Sequence, residues 1–207
     1  MFVTSPEAWL AKENEAHDFV CIVFFRGHWC KFDQYYLKML GKHNKSHMEK
    51  ERVYLIAWTS EGSEGAKKAD EQWKLTEDYG YSEVLGDDTC ALAEYLRDDE
   101  ILPDLVISTP QEAKVEQYIT PNTYPNGMVQ PGMVFYAHHG SLACHWEAKV
   151  EEATHCGATE RPLPEEIWKQ VLKRKHALDH GNTIKPVCAS QLPMCTHASD
   201  VEGCTSM

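Results

Sequence analysis

Asp18 to Phe25 reads DFVCIVFF, with no polar residue after the first and a high share of β-branched and aromatic side chains. A strand with one wet face alternates apolar and polar residues. A continuous run of this kind reads as a strand buried on both faces. Such a strand needs a layer above it and a layer below it, which directs the chain to α/β architectures.

The neighbouring patterns supply those layers. Thr4-Ser5-Pro6-Glu7 opens a helix, with capping hydroxyls, a proline in the first turn and an early acid, and this helix is predicted to end near His17. After the turn Gly27-His28-Trp29, Cys30 opens a second helix through KFDQYYLKML that closes near Gly41. RVYLIAWTS, from Arg52, reads as a second buried strand. Residues 63–79 read as an amphipathic helix, the stretch from Thr89 as a shorter one, and 102–108 as strand or loop. MVFYAHHGSLACHWE reads as a hairpin turning at His138-His139-Gly140-Ser141, and 163–176 as a closing helix. A βαβ unit followed by ββα predicts a mixed central sheet with helices on both faces, the element order of a thioredoxin-like fold.

The chain has 207 residues, of which 43% are hydrophobic, enough for one substantial core. Residues 1–180 are expected to form the domain. Residues 181–207 lack periodicity and read as a flexible, cysteine-containing tail. The net charge of −12 disfavours nucleic acid, and the basic stretch Lys169 to Lys175 reads as a solvated helix face. No apolar run approaches the roughly 18 residues of a membrane helix. The acidic residues Glu7, Glu13 and Glu15 are unlike a secretory signal, so the expectation is a soluble, cytoplasmic protein without membrane partners. The eight cysteines include no CxxC pair, and in that compartment they are expected to be reduced.

Cys30 is the candidate nucleophile. At the first turn of a helix, free backbone N–H groups and the helix dipole favour an anion, so its thiol is expected to ionise more readily than the usual value of about 8.5. Arg26 adds positive charge just upstream. His28, two residues before the cysteine, is either a proton acceptor for the thiol or a solvent-facing turn residue. Cys21, within the apolar run, reads as core.

FFRGHWCKFDQYYL resembles the active-site segment of the peroxiredoxin-like (AhpC/TSA-like) branch of the thioredoxin superfamily, which often carries Arg-Gly-x-Trp-Cys-Pro-x-Cys. The similarity continues through YLIAWTSEG, VLGDDTCALAEYL, GMVQPGMVFYAHHGSLACHWE and GATERPLPEEIWKQVL, covering about residues 18–178. It implies a thiol oxidoreductase without a cofactor, taking a peroxide or a small thiol or disulfide, with an external thiol as reductant. It leaves a homodimer open. It also implies that Pro131, before the third core strand, is cis and faces Cys30, and a trans bond there would count against both the site and the fold. Trp29 and Arg161 are candidate substrate contacts, against readings as packing and as an exposed loop residue.

Three departures bear on this reading. Lys31 stands for the motif's proline. Asp33 stands for its second cysteine, so no local disulfide can close and a one-cysteine mechanism is implied. Gly27 stands where peroxiredoxins carry a Thr or Ser whose hydroxyl orients the peroxide. An ionised Asp33 close to the thiol opposes thiolate formation, and otherwise Asp33 is a proton acceptor for it. Asp33 and Gly27 keep open a second reading, a non-catalytic thioredoxin-fold binding module. A third is a metal-dependent protein using His28 and Cys30, with His138, His139, Cys144, His145, His155 and Cys156 as further donors, though no metal-site spacing is present. Cys188, Cys195 and Cys204 are either incidental or resolving thiols delivered by the tail.

Overall fold

The computed structural model describes residues 5–47, 51–137, 140–151, 159–182 and 184–195. Its helices are α1 (Pro6–Ala16), α2 (Lys31–His47), α3 (Gly62–Trp73), α4 (Leu75–Asp78), α5 (Ala91–Asp98) and α6 (Pro164–Asp179). Its strands are β1 (Phe19–Phe24), β2 (Val53–Thr59), β3 (Glu83–Gly86), β4 (Ile107–Ser108), β5 (Met128–Val129), β6 (Gly132–Ala137), β7 (Ser141–Glu147), β8 (Arg161–Pro162), β9 (Val187–Cys188) and β10 (Met194–Cys195). The main sheet runs β3-β2-β1-β6-β7-β9. Strands β1, β2 and β3 are parallel, β6 is antiparallel to β1, and β7 is antiparallel to β6.

β1 is the central strand that its sequence predicts, buried along its whole length. Alternate residues feed two cores. Phe19, Cys21 and Val23 join Tyr36, Leu37 and Leu40 of α2 and Ile167, Trp168 and Val171 of α6 on one face. Val20, Ile22 and Phe24 meet Leu10 of α1 and Leu92 and Leu96 of α5 on the other. Each such side chain contributes about 1.5–3 kcal/mol by leaving water. The mixed sheet with helices on both faces therefore follows from one strand that must be covered twice.

Several elements differ from their sequence readings. α2 does not close at Gly41 but runs to His47, because Gly41 is where the helix packs on another segment. A Cβ there would overlap the Tyr79 carbonyl. The helix expected over 63–79 breaks at Lys74, whose φ is 58°, and the Asp70 carboxylate accepts the backbone N–H and hydroxyl of Thr76 beyond the break. β3 is an additional, half-buried edge strand. Its four residues are too few to carry a pattern. Residues 102–108 are loop except for β4, which pairs with β5. The hairpin forms with Gly140 at φ 84°, the positive value that glycine supplies; His138 and His139 lie outside the described residues.

The reading of residues 181–207 as a flexible tail needs correction for its first part. β9 adds to the sheet beside β7, β10 pairs with β8, and Ala189 and Cys195 are buried in the first core. These are two-residue pairings, which leave no periodicity in the sequence. Residues 196–207 lie outside the described residues. Among the described residues no helix is long and apolar enough to cross a membrane.

Candidate functional site

The site lies where β1 ends. The chain leaves the sheet after Phe24, turns through Arg26 to Trp29, and enters α2 at Lys31, with Cys30 as the residue before the first helical one. The Cys30 N–H donates to the Gly27 carbonyl at 3.0 Å, closing the turn, and the Cys30 carbonyl accepts from Gln34 N–H in the helical pattern.

Arg26, Cys30, Asp33 and Arg161 form one buried cluster. Arg26 Nη2 donates to Cys30 Sγ at 3.0 Å. The Asp33 carboxylate accepts the Arg26 backbone N–H at 2.8 Å and lies 3.8 Å from Arg26 Nε. Its other oxygen accepts from Arg161 Nη2 in a very short ion pair. Burial alone would push the Asp33 carboxyl up, but the charges of Arg161 and Arg26 outweigh it and hold the group below its ordinary value. Asp33 is therefore a carboxylate and a counter-ion for two guanidinium groups. Arg161, far from being an exposed loop residue, is fully buried, with its guanidinium 5.1 Å from the centre of the Tyr36 ring.

The thiol does not meet the expectation of easy ionisation. Cys30 is only 3% exposed. Burial pushes the thiol up, Arg26 pulls it down, Asp33 raises it and Arg161 lowers it, leaving it at about 11. Desolvation thus outweighs the favourable charges around it.

On the outer side of the turn, Glu61 receives both the His28 backbone N–H at 2.9 Å and, at 2.7 Å, the Nδ1 of its ring. The two contacts tie the turn before Cys30 to the residue just past the end of β2. Trp29 Nε1 donates to the Tyr124 hydroxyl at 2.9 Å, the Arg26 guanidinium lies over the Trp29 ring, and the Tyr118 ring stacks on it.

Pro131 immediately precedes β6, as the resemblance has it, but not in the form implied. Gly132 pairs with Phe24, which sets Pro131 beside the end of β1. No cis peptide bond occurs among the described residues, so Gln130–Pro131 is trans. A proline that begins a strand needs no cis bond, since the N–H it lacks falls outside the ladder. The sheet forms with the trans bond, so the tie between that isomer and the fold does not hold, while for the site the trans bond counts against the placement that the resemblance implies.

Glu61, Thr59 and Tyr124 were not among the sequence candidates. Glu61 had a readable signal: it lies just past the end of β2, and the carboxyl ends of parallel neighbours open onto the same crevice. Tyr124 lies in irregular chain and had none. Among the metal-ligand candidates, Cys144 is buried and His145 is 3.5 Å from Glu147, while His155 and Cys156 lie outside the described residues. Among the described residues no group of three or more His, Cys, Asp or Glu side chains is placed to hold a metal ion.

No protein-family model matches the chain, and no curated protein matches it. Solved structures do. AhpC from Enterococcus faecalis is similar over 82% of this chain and 81% of its own, with a TM-score of 0.50 at 12% identity. A cysteine variant of peroxiredoxin 6 from Arenicola marina is similar over 79% of this chain and 62% of its own, with a TM-score of 0.50 at 15% identity. The chain has a peroxiredoxin-like thioredoxin fold. At such identities the likeness speaks for the scaffold, and the chemistry has to be argued from the site. What this thioredoxin-fold chain presents there is a cysteine at a helix start, an arginine on its sulfur, and a buried carboxylate behind both.

Proposed function

We propose that the protein is a thiol-dependent oxidoreductase of the peroxidase type, with Cys30 as its nucleophile. The observation that carries this reading is the Arg26 guanidinium donating to Cys30 Sγ, a contact that gains strength as the sulfur becomes an anion. The Cys30 thiolate attacks the terminal oxygen of a hydroperoxide. The S–O bond forms as the O–O bond breaks, giving a sulfenic acid and an alkoxide or hydroxide that takes up a proton. An external thiol then condenses with the sulfenic acid, releasing water. A second thiol breaks that mixed disulfide and restores Cys30. With Asp33 bound to two arginines, the turn offers no local partner sulfur, which fits a one-cysteine cycle. The chemistry needs no resident cofactor and suits the reducing cytoplasm.

One observation favours a different reading, a non-catalytic binding module: the sulfur is almost wholly covered and its thiol is pushed up to about 11. Stopped-flow peroxide consumption by the wild-type chain and by Cys30→Ser separates the two. The peroxidase reading expects the variant to lose consumption and to lose sulfenic acid capture by a dimedone-type trap, with the fold intact. Equal rates would leave the module standing.

A further inference from the structure

Gly27 leaves a notch in the turn before Cys30, and three polar groups converge on it. A Cβ at this position would overlap the Tyr124 hydroxyl and would stand 2.6 Å from Trp29 Nε1 and 2.9 Å from Glu61 Oε2. The hydroxyl comes from chain 98 residues beyond Arg26. It donates to the Arg26 carbonyl at 2.7 Å and accepts from Trp29 Nε1. The Tyr124 ring is held independently of that hydroxyl, in a small cluster with Ala113, Val115 and Met128 against which Trp29 and Ile119 pack.

We infer that Tyr124 is a positioning residue for the Cys30 thiol, acting through Arg26. Its hydroxyl fixes the Arg26 main chain on one side and the Trp29 ring on the other, and the Arg26 guanidinium lies 5.5 Å from the centre of that ring while reaching Cys30 Sγ. Thr59 Oγ1 and the Asp33 carboxylate hold the same Arg26 backbone from other directions. The space that a side chain at position 27 would fill is therefore taken by a hydroxyl from another segment, and that hydroxyl serves the arginine that faces the sulfur. Its meaning for catalysis rests on the peroxidase reading; its effect on the thiol does not.

The test is the pH profile of iodoacetamide alkylation of Cys30, followed by mass spectrometry of its peptide in the full chain. The charged and titratable groups around the thiol are Arg26, Asp33 and Arg161, with Glu61, His28 and the Tyr124 phenol across the notch. Tyr124→Phe removes none of the charges. With Arg26 less firmly seated, the profile is expected to move up by about one pH unit, and the rate at fixed pH to fall about tenfold. Trp29→Phe, which removes the indole donor, should move it the same way by less, and it decides the matter if Tyr124→Phe does not fold. An unchanged profile overturns the inference even if the melting temperature falls, because a purely structural hydroxyl would lower only the latter. Alkylation involves no peroxide, so a failed peroxidase assay with a shifted profile would count against the proposed reaction alone.

Discussion

The two sides of the Cys30 turn hold charges in opposite ways. On the inner side, Asp33 and Arg161 are sealed, at 0% and 2% exposure, and each needs the other because water does not reach them. On the outer side, the Glu61 side chain is 5% exposed but that of its partner His28 is 28% exposed, so that pair keeps contact with solvent. A sealed charge is costly to strand, and its network fixes geometry. A pair open to water is worth less to stability and can exchange protons. Cys30 stands between the two.

The largest effect should come from stranding the sealed charges. Asp33→Asn keeps the volume but leaves Arg26 and Arg161 without their carboxylate, which should cost about 3–5 kcal/mol in urea unfolding. The pH dependence follows from the same group. The folded protein holds the Asp33 carboxyl below its ordinary value, so its contribution is present above the unfolded value of about 3.9 and is lost as the pH falls through the folded value. The gap between wild type and variant should therefore close in acid. A gap that stays constant down to pH 3, or one below about 1 kcal/mol at neutrality, would show that the inner side is not held by charge.

A smaller loss is expected from ending the chain at His180. β10 pairs with β8, the strand that carries Arg161, and Cys195 Sγ donates to the Arg161 carbonyl at 3.0 Å. Truncation removes that support and the burial of Ala189 and Cys195, which together should cost about 2–3 kcal/mol. An unchanged denaturation midpoint would return residues 184–195 to the status of a dispensable tail.

These same segments show what could be read from the sequence. β1, β2, β6 and β7 were legible because their apolar patterns are long enough to exclude other readings. Cys30, Arg26 and His28 were legible because they sit within one turn at the end of such a strand. The pairing of Asp33 with Arg161 spans 128 residues and joins a helix start to a two-residue strand, so no local pattern encodes it. The ionisation of Cys30 was misjudged for a related reason: the helix start is visible in the sequence, and the depth of burial is not. The C-terminal segment was missed because its strands are two residues long, so Ala189, Leu192, Met194 and Cys195 meet the core over a stretch too short to carry a period.

The smallest effect should come from the open side. Glu61→Gln keeps one oxygen to accept from His28, removes the charge, and leaves Glu61's own backbone N–H on Thr59 Oγ1. Because His28 already contacts water, the loss in stability should be about 1 kcal/mol or less. It should also leave untouched the acid-dependent loss that belongs to Asp33. Urea unfolding across the acid range, run beside Asp33→Asn, measures both. A loss near that of the Asp33 variant would mean that Glu61 is as structural as the inner carboxylate. The contrast between a sealed and an open side would then fail, because burial of the carboxylate alone, and not the exposure of its partner, would set the cost.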